Sequence, residues 1–318
     1  MYLIIIFASI AALFGLFVLN SYLSYLYLFA RSEKREPMLM KGLIGKLTPE
    51  REKKRGMIEM LASAPSSDLY ITSHDGLKLH AIHFAGEADR PVAIGFHGYR
   101  SSALRDLSGL GLYYYYRGFD LILVDERAHG MSEGKTISFG ENERLDVLSW
   151  ANYARERFGE NKKIIIFGMS MGAASVLLAS ELDLPCGVIA AVADCPFSSS
   201  DEIIKKGCRD RRIPARLLFP AVRFGARLFG GFRFGGHSPI EAVKKSKIPI
   251  LLIHGTGDML VPHEMSDELS EAGQNITYLK IDGAPHLMSM MCDEERYTAA
   301  LDEFHKQRPY KGETQNDK

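Results

Sequence analysis

Short apolar runs recur from residue 91 onward, each bounded by glycine, proline or charge. PVAIGF (91–96), DLILVD (120–125) and KKIIIFG (162–168) are too short for buried helices, and they predict strands covered on both faces. Each hands over to a stretch with helical spacing: ALRDLSGLGLYYYYRG (103–118), NERLDVLSWANYARERFG (142–159) and MGAASVLLASEL (171–182). GVIAAVAD (187–194), IPILLIHG (248–255) and ITYLKIDG (276–283) predict three more strands. Ahead of them all, residues 68–86 alternate apolar and polar positions about Asp75-Gly76, the signature of a β-hairpin. Apolar strands alternating with helices predict an α/β domain built on a mostly parallel sheet.

One apolar run is of a different kind. YLIIIFASIAALFGLFVL (2–19) is about as long as one helix needs to cross a bilayer. Tyr22, Tyr25 and Tyr27 follow it, rings suited to the headgroup zone. Residues 1–30 hold no Asp, Glu, Lys or Arg, and no cation precedes the run as it would in a signal peptide. An uncleaved single-pass anchor is expected. By the positive-inside rule, Arg31, Lys34, Arg35 and the cations after them put the rest of the chain on the cytoplasmic side. The expected domains are an anchor (1–30), a charged linker (31–66), an α/β domain (67–306) with a lid at about 198–240, and a polar tail (307–318).

Composition adds exclusions. The 39 basic and 39 acidic residues cancel, so no overall charge points to nucleic acid. Cys186, Cys195, Cys208 and Cys292 show no metal-ligand spacing, and no metal or cofactor is expected.

The candidate chemistry centres on GMSMG (168–172), where an apolar strand meets a helix. A serine on such a turn is held in strained geometry with its hydroxyl exposed, and Gly168 and Gly172 leave room for the turn. Ser170 is therefore the candidate nucleophile. It needs a base oriented by an acid. Of ten histidines, His286, in the loop after the last strand, is the candidate base. Asp258, after the penultimate strand, is the candidate acid, with Asp194 as the main rival and Asp282 a weaker one. The backbone N–H of Met171, next to the nucleophile, and that of Tyr99, after the first parallel strand, are the candidate oxyanion donors.

Taken together, FHGYRSS (96–102), VDERAHGMSEG (124–134), GMSMG, HGTGDMLVP (254–262) and GAPH (283–286) resemble the α/β-hydrolase superfamily. More narrowly, they resemble membrane-anchored bacterial-type serine hydrolases of the serine aminopeptidase-like and monoacylglycerol lipase-like group. The resemblance spans roughly residues 68 to 305. It implies an α/β-hydrolase fold: a mostly parallel eight-stranded sheet with helices on both faces, a small lid insertion and the N-terminal membrane helix ahead of it. Asp125, Arg127, His129 and Ser132 would shape the floor of the site. The lid segment brings Arg216, Arg223 and Arg227 onto one helical stripe, with either an apolar pocket wall or a plain packed helix beside it. Pro220, Gly225 and two Gly-Gly pairs argue against one long rigid helix there. The expected activity is hydrolysis of a carboxylic ester, with lipid esters and thioesters in scope, through an acyl-enzyme. The partners expected are a small-molecule or lipid ester and the membrane. A peptidase releasing N-terminal residues and a non-catalytic tethered binding module are the alternatives.

Overall fold

The computed structural model describes residues 1–31 and 48–307. Its centre is one sheet made of β1 (Ser67–Thr72), β2 (Lys78–Phe84), β3 (Val92–Phe96), β4 (Asp120–Asp125), β5 (Ile164–Met169), β6 (Val188–Asp194), β7 (Ile250–Gly255) and β8 (Ile276–Ile281). The spatial order is β1-β2-β4-β3-β5-β6-β7-β8. The hairpin β1–β2 and its junction with β4 are antiparallel, and every other pairing is parallel. The chain leaves β3 to form β4 on one side and returns to form β5 on the other. That reversal opens a crevice at the carboxyl ends of the strands, where ligands of such sheets bind.

Strand pleating sorts the core into two layers. Ile165 and Phe167 of β5 join Leu107, Tyr114 and Tyr297 on one face. Ile164 and Ile166 join Trp150, Val176 and Leu177 on the other. The first face lies beneath α3 (Ala103–Tyr115) and α11 (Glu294–Lys306), the second beneath α4 (Glu143–Phe158) and α5 (Met171–Ala179). Three shorter helices complete the wrapping: α8 (Pro239–Lys245), α9 (Glu264–Ala272) and α10 (Ser289–Cys292).

After β6 the segment expected to be a lid forms two helices, α6 (Ser200–Asp210) and α7 (Ala215–Leu228). Here α7 runs as one helix through Pro220 and Gly225, against the expected break. Pro220 is exposed, so its ring stands in solvent, and Gly225 has a packing reason to be there. A Cβ on Gly225 would lie 2.3 Å from the carbonyl oxygen of Ser21, so the glycine lets two helix backbones meet.

Ser21 belongs to α1 (Tyr2–Leu28), 27 residues with a mean hydropathy of 2.7 in its most apolar window, none of it buried. Such a helix is about 40 Å long, enough to span a bilayer. Its last turns behave differently from the rest. Ser21, Ser24, Tyr25 and Phe29 are buried, Phe29 completely. Phe29 fills a nest of Phe139, Phe232 and Phe234, with ring centres 5.2 to 5.9 Å away. Full burial of such a ring stabilises by about 2–3 kcal/mol. The anchor boundary expected at residue 30 therefore does not separate two independent parts.

The linker expectation needs a similar correction. Pro49–Ala62 forms a helix, α2, that packs along α3 with Leu61 fully buried. Its apolar positions Met57 and Leu61 sit four apart, and that face is what pulls the segment out of solvent. The remainder of the linker, residues 32–47, and the tail beyond residue 307 lie outside the described residues.

Candidate active site

Ser170 stands between β5 and α5 with φ 55° and ψ −116°, a left-handed geometry that the sharp turn imposes. The glycines around it are packing requirements. A Cβ on Gly168 would lie 2.4 Å from the Gly172 backbone, and one on Gly172 would lie 2.1 Å from the carbonyl oxygen of Phe96. The Ser170 N–H donates to the Asp194 carbonyl at 2.8 Å, which ties the turn to the next strand.

The structure brings the three sequence-predicted side chains together. His286 Nε2 lies 3.0 Å from Ser170 Oγ, and His286 Nδ1 lies 2.5 Å from Asp258 Oδ2. Asp258 can only accept, so Nδ1 carries a proton and Nε2 presents its lone pair to the serine hydroxyl. Asp258 Oδ1 accepts the N–H groups of Leu260 and Val261, both at 2.8 Å. Burial alone would raise its pKa, but His286 and His254 facing it hold the carboxyl well below the ordinary range.

No protein-family model matches the chain. Among curated proteins it is 27% identical over 284 residues to the uncharacterised YqkD of Bacillus subtilis, covering 88% of this chain and 90% of that one. It is also 27% identical to YfhR of Escherichia coli, over 62% of this chain and 65% of the relative. Among solved structures, the Pyrococcus furiosus esterase Pf2001 superposes with a TM-score of 0.63 at 25% identity, covering 83% of this chain and 95% of the esterase. Est1E of Butyrivibrio proteoclasticus, solved with ferulic acid bound, superposes at 0.57 with 22% identity, covering 75% of this chain and 98% of Est1E. The chain has the α/β-hydrolase fold.

In a hydrolase fold the loop after β3 matters next. Gly98 donates its N–H to Asp106 Oδ2 at 2.9 Å, and Arg100 donates its own to His129 Nε2 at 3.0 Å. Both neighbours of the Tyr99 amide are thus committed elsewhere. A Cβ on Gly98 would lie 3.3 Å from Ser170 Cβ, so this loop passes directly over the elbow. The Met171 N–H opens α5, whose dipole favours negative charge at that end. The cleft between these parts is lined by Tyr99, Arg100, Ser170, Leu260 and His286, among others.

The rival acids sit elsewhere. Asp194 Oδ2 accepts the Tyr297 hydroxyl at 2.9 Å, and burial pushes its carboxyl up to about 6. Asp282 lies on the surface, 3.7 Å from Arg296. Other histidines are bound up in structure: His80 with Asp125, His83 with Asp120, His97 with the Gly98 carbonyl, His305 with Tyr114. Asp125, Arg127 and Ser132 brace the turn after β4. Arg127 forks onto Asp146 and Asp75, and Ser132 donates to the Asp125 carbonyl. Cys195, Asp258 and His286 offer ligand atoms within 4.8 Å of one another, but two of these are engaged with each other and burial pushes the thiol well above its ordinary pKa.

Sequence reasoning missed His254. Its Nε2 lies 3.0 Å from the Val261 carbonyl and 3.3 Å from Asp258 Oδ2, and its Nδ1 lies 2.6 Å from Ser266 Oγ. A carbonyl only accepts, so Nε2 carries the proton and leans on Asp258 Oδ2, the same oxygen that meets His286. Its place four residues before Asp258 on an otherwise apolar strand was the available signal.

The end of α1 was the other omission. Tyr99 Oη donates to the Leu28 carbonyl at 2.8 Å, and Arg100 Nη2 to the Tyr27 carbonyl at 2.7 Å. Arg31 clamps the carbonyls of Ser132 and Gly130, both at 2.7 Å, and Ile137 donates its N–H to Phe29. The side chains beside the candidate oxyanion loop are thus fastened to the end of the apolar helix.

Proposed function

We propose that this chain is a serine hydrolase that cleaves carboxylic esters through an acyl-enzyme. The observation that carries the reading is the unbroken chain of contacts from Ser170 through His286 to Asp258. Ser170 Oγ attacks the ester carbonyl as His286 Nε2 takes its proton. Asp258 keeps the imidazole in the Nδ1–H tautomer and stabilises the imidazolium. The backbone N–H groups of Met171 and Tyr99 receive the oxyanion. His286 then returns the proton to the departing alkoxide, and water repeats the sequence to free the enzyme.

Esters fit better than aminoacyl amides. Of the residues lining the cleft, Asp106 is the one carboxylate, and it is spent on the Gly98 N–H and the Ser101 hydroxyl. Nothing there is arranged to hold a free substrate amine. Esterases among the structures of similar fold support the same choice. The narrower kinship with the monoacylglycerol lipase-like group belongs to this reading too.

The reading includes retention of α1 as a membrane anchor with the catalytic body on the cytoplasmic side, and the cations from Arg31 onward support that orientation. Cleavage as a signal peptide would strip Phe29 from its nest and leave Arg100 and Tyr99 without their carbonyl partners.

The test is covalent labelling. A fluorophosphonate should modify Ser170 of the folded full-length protein, and Ser170→Ala should abolish labelling and lower kcat for p-nitrophenyl esters by at least about ten-thousand-fold. A folded protein that neither labels nor hydrolyses any ester in the series would refute the reading.

A further inference from the structure

We infer that the outer face of α7 is a membrane-seating surface: it lies in the headgroup layer of an anionic leaflet beside α1, and the catalytic cleft opens at that level.

The depth follows from where α7 crosses α1. The two helices meet with Gly225 against the Ser21 backbone, and the Phe224 ring lies 5.3 Å from the ring of Phe17. Phe17 belongs to the apolar run, whose flank is otherwise bare of protein. A bare apolar stretch of this length must be covered, and lipid is what covers a spanning helix. The crossing therefore falls at the last apolar turn of α1, the boundary between hydrocarbon and headgroups. Tyr22, packed edge-on against Phe229 at 5.0 Å, marks the same height.

The chemistry of the exposed face matches that depth. At 100° per residue, Arg216, Arg223 and Arg227 share one stripe, and Leu217, Phe224 and Leu228 share the next. Leu217 is 75% exposed and Leu228 56%, an arrangement costly in water and normal for a helix lying in an interface. Between Ile203 and Ile240 the chain carries nine basic residues and one acidic one, in a sequence whose totals cancel. Arg223 is paired with Asp201, but no carboxylate is bonded to Arg212, Arg216 or Arg227 among the described residues. A concentration of cations on one surface is drawn to anionic lipid. Continuity with the spanning helix and this charge both select a lipid leaflet as the occupant.

The surface rests on the reading of α1 as a membrane anchor. Its consequence for catalysis, delivery of esters already dissolved in the leaflet, rests on the serine-hydrolase reading, and the experiment keeps the two apart. Nitroxides are placed at Leu217→Cys and Leu228→Cys in the full chain, with the exposed Cys186 and Cys292 changed to Ser, and at Glu160→Cys near the opposite end of the sheet. The protein is held in nanodiscs of phosphatidylcholine with a minority of phosphatidylglycerol. Residues 217 and 228 should relax more with oxygen than with a water-soluble nickel chelate, and residue 160 the reverse. Removing the phosphatidylglycerol, or making Arg212→Gln, Arg216→Gln and Arg227→Gln together, should raise nickel access at 217 several-fold. Nickel access at 217 and 228 equal to that at 160 overturns the proposal, as does spin–spin broadening that reveals a second copy of the chain on this face. For the catalytic consequence, Leu217→Glu with Leu228→Glu should lower kcat/KM on a bilayer-embedded long-chain ester by about tenfold or more and leave p-nitrophenyl acetate within about twofold. Equal loss on both esters rejects leaflet delivery. If the unmodified chain hydrolyses neither ester, the hydrolase reading fails, while the nitroxide result still decides the surface.

Discussion

Asp194 and Asp258 lie at the carboxyl ends of neighbouring strands, and only Asp258 reaches His286. The difference is local capture. Asp194 is the last residue of β6 and is held by Tyr297, whereas Asp258 lies three residues past the end of β7, on a turn whose own amides hold it in place. That choice has a thermodynamic signature. With its carboxyl pushed up to about 6 from 3.8, Asp194 binds its proton more tightly folded than unfolded. Its contribution to stability is full below about pH 3.8 and is lost as pH rises through about 6. Asp194→Asn removes this dependence, so the melting temperature of the variant relative to the parent should rise between about pH 4 and about pH 8, by the equivalent of up to about 3 kcal/mol. A constant offset across that range would mean that Asp194 ionises normally. At this scale the serine was legible, because the glycines about it are demanded by backbone contacts that any such turn must make. The choice between the two acids needed Tyr297, more than a hundred positions away in the chain and marked by nothing near Asp194. His254 stayed hidden because one polar residue on an apolar strand looks the same whether it braces a carboxylate or caps a core.

Among the elements, strands declared themselves by short apolar runs, and each run read as a strand is one. The lid did not. Proline and glycine inside α7 argued for a break, and the reason for Gly225 lies in α1, a partner that no local pattern connects to it. Two glycine substitutions separate propensity from packing. Gly225→Ala gains about 1 kcal/mol of helix propensity. The new methyl would lie 2.3 Å from the Ser21 carbonyl oxygen, where backbone has no easy retreat. Overlap should win, and the variant of the full chain should melt at a lower temperature, by about 1–3 kcal/mol. Gly207→Ala, in α6, meets nothing closer than Arg211 Nη1 at 3.6 Å and should melt slightly higher. Equal behaviour of the two variants in thermal unfolding would deny the close contact between α7 and α1.

For the molecule as a whole, the apolar segment and the catalytic body are one structure. Deleting residues 1–16 removes exposed helix alone, whereas deleting residues 1–31 also removes Phe29, the Arg31 clamp and the carbonyls that hold Tyr99 and Arg100. In detergent, the shorter deletion should keep its rate on a soluble ester within about twofold. The longer one should lose about a hundredfold in kcat, the cost of disordering one oxyanion donor. Equal rates would reduce α1 to a tether. This join was the least legible feature of all, since hydropathy reports that a helix is apolar and says nothing about what its far end grips.

The grip also sets a bearing. With Phe29 wedged among aromatic rings and Arg31 pinned beyond it, α1 leaves the body at one angle with no swivel beneath it. Turning about the helix axis sweeps the cleft around a circle at constant height, and tilting the cleft means tilting the whole molecule. Anchored as proposed, such a protein searches a plane and not a volume.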